Sequence, residues 1–130
     1  MIVETSTMIQ AGGVLHLLWA GFHLRFPSMF KWGSALAGLD PVNRGVMRVM
    51  NICLIFQFLA CGSLSLLHSD ALAATPLGRA VCAGLASFWL LRLGLQFTHF
   101  RPLAPRSLVL DVFFAATCAA YALPLLTPAV

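Results

Sequence analysis

Leu77–Phe100, LGRAVCAGLASFWLLRLGLQFTHF, decides the fold. It is long and apolar, yet it carries Arg92 well inside. A bilayer core is about 30 Å thick, and a helix of about 20 apolar residues crosses it. A charge buried in such a span is paired, snorkelled or functional. The run therefore predicts a membrane-crossing helix and marks a place to look for a mechanism.

Working outward, three more runs have this character. The sequence predicts spans over residues 8–26, 46–67, 76–99 and 106–123, forming one transmembrane domain over 1–130. Thr5 or Ser6 is placed to cap the first span, and Pro27 ends it. Pro76 suits the first turn of the third. Backbone groups cannot go unpaired in lipid, so these runs should be helices. Short connections imply antiparallel neighbours, giving an all-α, up-down four-helix bundle. Ser28 to Leu39 is too short to cross. It lies between Pro27 and Pro41, with Trp32 beside Lys31, and suits a short interfacial element.

Composition agrees. Apolar residues make up 60% of the 130 residues and charged residues 9%, against about 25% charged in a soluble domain. Mean hydropathy is +0.90. The net charge of +4 is unevenly placed. Arg25, Lys31, Arg44 and Arg48 flank the first connection, Arg101 and Arg106 the third, and only Arg79 the second. The positive-inside rule puts the first and third connections in the cytoplasm and both termini outside. No aromatic-basic repeat suggests nucleic acid. The expected partners are the lipid bilayer and other membrane subunits, or further copies of this chain. The expected location is a bacterial inner membrane.

Polar residues inside the spans are few: His16 and His23, Asn51 and Gln57, Arg92, Gln96 and His99, and Asp111. Trp89, Arg92, Gln96 and His99 share one helix face, as do His16 and His23. Arg92 lies about 10–12 Å from the His99 end of its span, and Asp111 about 7 Å from the Arg106 end of the next. Asp111 is the only acid within a span, so an Arg92–Asp111 ion pair is expected to lock the last two spans together. His16, deeper, should meet a backbone carbonyl, or Asn51 or Gln57. Small residues recur at helical spacing (Gly78, Cys82, Ala86; Ala80, Gly84; Gly12 and Ala20 around His16), permitting close helix contact. Cys53, Cys61, Cys82 and Cys118 all fall in spans and read as small apolar packing.

LHLLWAGFHLRFP (Leu15–Pro27) and FWLLRLGLQF (Phe88–Phe97) resemble motifs of small bacterial four-span integral membrane proteins of unknown function, a resemblance that implies no activity. The size and span number are also similar to small multidrug transporters. Those depend on a glutamate inside the first span. Here Glu4 precedes the span and His16 sits in its middle, so that function does not carry over.

Three functions follow as expectations. The first is a non-catalytic integral subunit packed within a larger membrane complex: no HExxH, GxSxG or Walker loop is present, and Ser63, Ser65, His68 and Asp70 read as a helix end. The second is an electron-transfer subunit. His23 and His99, at similar depth, would ligate a b-type haem or a metal, or a quinone would lie against Trp89, Arg92, Gln96, Phe97 and His99 near the cytoplasmic face. The third is a small transporter or channel using His16, Arg92 and Asp111.

Overall fold

A computed structural model describes residues 2–100 and 105–127, with the side chains of residues 2, 3 and 105–107 left aside. Arg101 and Pro102, the Arg106 side chain, and Pro128 lie outside that description. Among the described residues there is no strand. The elements are α1 (Ile2–Leu24), α2 (Phe26–Met29), α3 (Trp32–Ala35), α4 (Pro41–Leu67), α5 (Ser69–Ala74), α6 (Pro76–His99), α7 (Pro105–Ala122) and a closing 3-10 turn (Leu123–Leu126).

Three helical stretches are long and apolar enough to cross a membrane: Pro41–Leu67, Pro76–His99 and Leu108–Leu126. The third and fourth predicted spans coincide closely with α6 and α7. α1 is as long, at 23 residues, but Glu4, Gln10, His16 and His23 dilute its hydropathy.

The first helix begins earlier than expected. Thr5 and Ser6 do not cap it; both are inside it and buried. Ser6 Oγ instead donates to Asp70 Oδ1 at 2.6 Å, and Gln10 Nε2 donates to Ser69 Oγ at 3.0 Å, fastening α1 to α5. The second long helix also starts early. Asp40 is its cap, accepting from the backbone N–H of Val42 and Asn43 and from the Asn43 amide, with Pro41 in the first turn. These bonds satisfy N–H groups that a helix start leaves open. Thr75 caps α6 in the same way, accepting from Gly78 N–H at 2.9 Å.

Two arginines read from sequence as topology markers also hold backbone. The Arg44 guanidinium donates to the carbonyls of Leu36, Ala37 and Leu39, closing the short connection from α3 to α4. At the other end of the molecule, Arg79 donates to the carbonyls of Pro124, Leu125 and Thr127, pinning the last turn against α6. The planar fork of arginine suits several convergent carbonyls as lysine does not.

α1 is the central helix, packed against α4, α5 and α7, while α6 packs against α7. Glycines set the closest approaches. A Cβ on Gly62 would lie 3.0 Å from the Gly13 carbonyl of α1, and one on Gly78 would lie 2.4 Å from the Leu72 Cα. Gly78, Cys82 and Ala86 are buried inside the fold, so that small-residue face is spent internally. Ala80 and Gly84 face outward.

Candidate functional site

The interior is layered across the long helices. The middle layer is aromatic. Trp19 stacks on Phe114 (4.7 Å, 10°) and on Trp89 (5.2 Å), and Phe58 stacks on Trp89 (5.5 Å). One ring comes from each of α1, α4, α6 and α7. Such pairs add about 0.5–1.5 kcal/mol each beyond area burial. Trp19 Nε1 donates to Thr117 Oγ1 at 3.1 Å, so this indole is not left unpaired.

On the α5 side of this layer lies His16, 1% exposed. Its Nε2 receives the Trp89 Nε1–H at 3.2 Å. An indole nitrogen only donates, so Nε2 is the bare nitrogen and the proton sits on Nδ1. Nδ1 faces the Gly12 carbonyl at 3.0 Å and the Tyr121 hydroxyl at 3.1 Å. The Tyr121 hydroxyl also meets Ser65 Oγ at 2.8 Å. Every polar atom of the ring is therefore used. A second ring proton would face the indole donor head-on, so this arrangement holds only the neutral imidazole. A residue so enclosed has no free nitrogen for a metal.

The expected partners of His16 are thus corrected. The backbone carbonyl is present, but Asn51 and Gln57 are elsewhere, and Trp89, Tyr121 and Ser65 take their place. Sequence reasoning misses Tyr121 and Ser65. A signal exists: Phe114, Thr117 and Tyr121 follow 3-4 spacing, one inward stripe on α7.

On the other side of the aromatic layer lies a second polar layer. His23 Nδ1 contacts Asn51 Oδ1 at 2.9 Å, while Asn51 Nδ2 donates to the His23 carbonyl at 3.1 Å. The reciprocal bond fixes the amide, so Nδ1 of His23 carries the proton. Its ring stacks on Phe26 at 4.0 Å. Nε2 is left without a partner among the described residues, the arrangement in which an imidazole can ligate.

One helical turn from Trp89, Arg92 donates from Nη1 to Gln96 Oε1 at 2.9 Å. Its guanidinium lies 4.3 Å from the Phe114 ring centre and 5.4 Å from that of Phe100. One turn from Phe114, Asp111 is buried, with neither carboxylate oxygen hydrogen-bonded among the described residues. The expected Arg92–Asp111 ion pair is not closed by contact among the described residues. Gln96 and the two rings hold the guanidinium instead.

His99 is exposed at the end of α6, with Nδ1 2.7 Å from its neighbour Thr98 Oγ1. It does not contact His23. It borders, with Arg92, Leu95 and Phe100, an open recess of about 300 Å³. The structure therefore joins Trp89 to His16, His23 to Asn51, and Arg92 to Gln96. It does not join His16 to Arg92 and Asp111, because the aromatic layer lies between them. No group of three His, Cys, Asp or Glu side chains suited to a metal occurs among the described residues.

Compared with known protein families, curated proteins and solved structures, the chain has no significant match.

Proposed function

We propose that this chain is a four-span integral membrane protein with both termini outside the cytoplasm, serving as a non-catalytic subunit within a larger membrane assembly. α1 then crosses with the three more apolar stretches, with Thr5, Ser6 and His16 covered by its neighbours. The basic end of the bundle, with Arg25, Lys31, Arg44 and Arg48, faces the cytoplasm.

The observation that carries the subunit reading is Gln57. It lies midway along α4, on the outside of the fold, and among the described residues its amide meets only the Cys61 sulfur, at 3.2 Å. Around it Cys53, Phe56, Leu59 and Ala60 are also exposed. An amide facing hydrocarbon is costly, and polar side chains in membranes commonly bond across helices. A helix of another subunit laid on this face would satisfy it.

The test is site-specific photo-crosslinking in the native membrane, at position 57 and at exposed Leu90 on α6. A discrete heterologous protein product from position 57 supports the reading. Lipid adducts alone, or only a product with a second copy of this chain, overturn it.

One observation favours a second reading. His23 presents a free Nε2 with its Nδ1–H held, as a haem ligand requires. A Soret band that disappears in His23→Ala would support an electron-transfer role; a colourless protein would end it.

A further inference from the structure

Arg92 lies well inside α6, and most of its hydrogen-bonding capacity is unused among the described residues. Of five N–H groups, only one on Nη1 has an acceptor, Gln96 Oε1. Nε and Nη2 meet no acceptor among the described residues. The guanidinium is nevertheless held firmly, between the Phe100 and Phe114 rings and against Gln96. It borders an open recess whose other walls are Leu95, Phe100 and His99. The recess is thus mainly apolar, with a cationic corner. Behind the guanidinium sits the second relevant group, Asp111, buried and with both oxygens unpartnered among the described residues. An aligned arginine with spare donors and an apolar wall is complementary to an anionic oxygen group joined to hydrocarbon.

We propose that Arg92 recognises the phosphate of an anionic membrane lipid in this recess, with Asp111 as the internal anion that competes for the same guanidinium. The phosphate oxygens accept from Nε and Nη2. His99 flanks the headgroup, and Leu95 and Phe100 lie against the first carbons of the chains. Arg92 keeps its hold on Gln96 and the two rings when lipid binds, and the carboxylate of Asp111 weakens the guanidinium's pull on the phosphate through space. The proposal rests on α6 crossing the membrane.

The test uses the full chain purified in a maltoside detergent, with binding followed by native mass spectrometry. Phosphatidylglycerol and phosphatidylcholine of identical chains are compared, with inorganic phosphate as a third probe. Wild type should prefer phosphatidylglycerol by about tenfold, equivalent to about 1.4 kcal/mol. Arg92→Gln should abolish the preference. Asp111→Asn should tighten phosphatidylglycerol binding several-fold, which a merely structural role for Asp111 does not predict.

If Arg92→Gln fails to fold, Leu95→Trp fills the recess with Arg92 in place and should also remove the preference. Equal binding of the two lipids, a preference retained in Arg92→Gln or Leu95→Trp, or weaker binding in Asp111→Asn overturns the proposal. So does full competition by inorganic phosphate, which would make the apolar walls irrelevant. Resistance of the same protein to carbonate extraction is read in parallel. Loss of that resistance defeats the membrane reading itself, while its persistence without lipid preference defeats this site alone.

Discussion

The indole of Trp89 donates to Nε2 of His16 at 3.2 Å, linking α6 to the central helix α1. That bond makes His16 a neutral structural hub. Removing the ring leaves the indole N–H buried and unpaired, costing about 1–3 kcal/mol, with a cavity penalty added. His16→Ala should therefore lower the unfolding temperature in detergent by several degrees. Trp89→Phe should fall between it and wild type, since it keeps most of the packing. Equal stability of His16→Ala and wild type would refute the hub.

Glycine substitutions should divide sharply by place. Gly78→Ala puts a Cβ 2.4 Å from the Leu72 Cα, a backbone atom that cannot step aside. Gly84, on the same helix, has open space there: nothing lies within 4 Å of where its Cβ would stand. Gly84→Ala should be neutral or stabilising by up to about 1 kcal/mol, from helix propensity alone. Gly78→Ala should lose folded yield in the same expression trial.

Arg79→Lys retains the positive charge but loses the fork that holds Pro124, Leu125 and Thr127. The C-terminal turn should open. Limited proteolysis should then trim the C-terminus of the variant faster than that of wild type, with the rest of the chain equally resistant.

Asp40 lies outside the spans, and its bonds to the Asn43 side chain and backbone and to Val42 hold its carboxyl below the ordinary value of 3.8. A depressed acid contributes stability above its unfolded value, and that contribution is lost as pH falls through the lower native value. The group is fully exposed, so the effect is small. Asp40→Ala should reduce the protection of the first turn of α4 against hydrogen exchange at neutral pH. The difference from wild type should shrink in acid.

The helices are legible in the sequence because long apolar runs bounded by proline and polar caps favour them: the helix expected over 76–99 matches α6, Pro76–His99, to the residue. Periodicity also puts Trp89, Arg92 and Gln96 on one face, and all three turn inward to some degree. What it does not contain is the choice of partner. Arg92 has an acid at suitable depth, but Gln96 is one turn away on its own helix and the rings of Phe100 and Phe114 supply the rest. His16 and His23 share a face, yet the aromatic layer sends one to Trp89 and Tyr121 and the other to Asn51. Nothing in a single helix's periodicity specifies how four helices rotate against each other. The early starts of α1 and α4 escape a hydropathy reading because polar residues sit close to each start: Glu4, Thr5 and Ser6 in α1, Ser6 bonding Asp70, and Asn43 and Arg44 in α4 behind the Asp40 cap.

The most direct test of the central claim, four crossings with both termini outside, is labelling of single cysteines in intact cells. The four native cysteines are replaced, and one cysteine is placed ahead of Met1, at Ser28 or at Ala74. A membrane-impermeant maleimide should label the first and the last, and label Ser28→Cys only after the membrane is opened. Protection of the N-terminal cysteine with labelling of Ala74→Cys would leave α1 uncrossed, and labelling of Ser28→Cys in sealed cells would reverse the orientation; either contradicts the account.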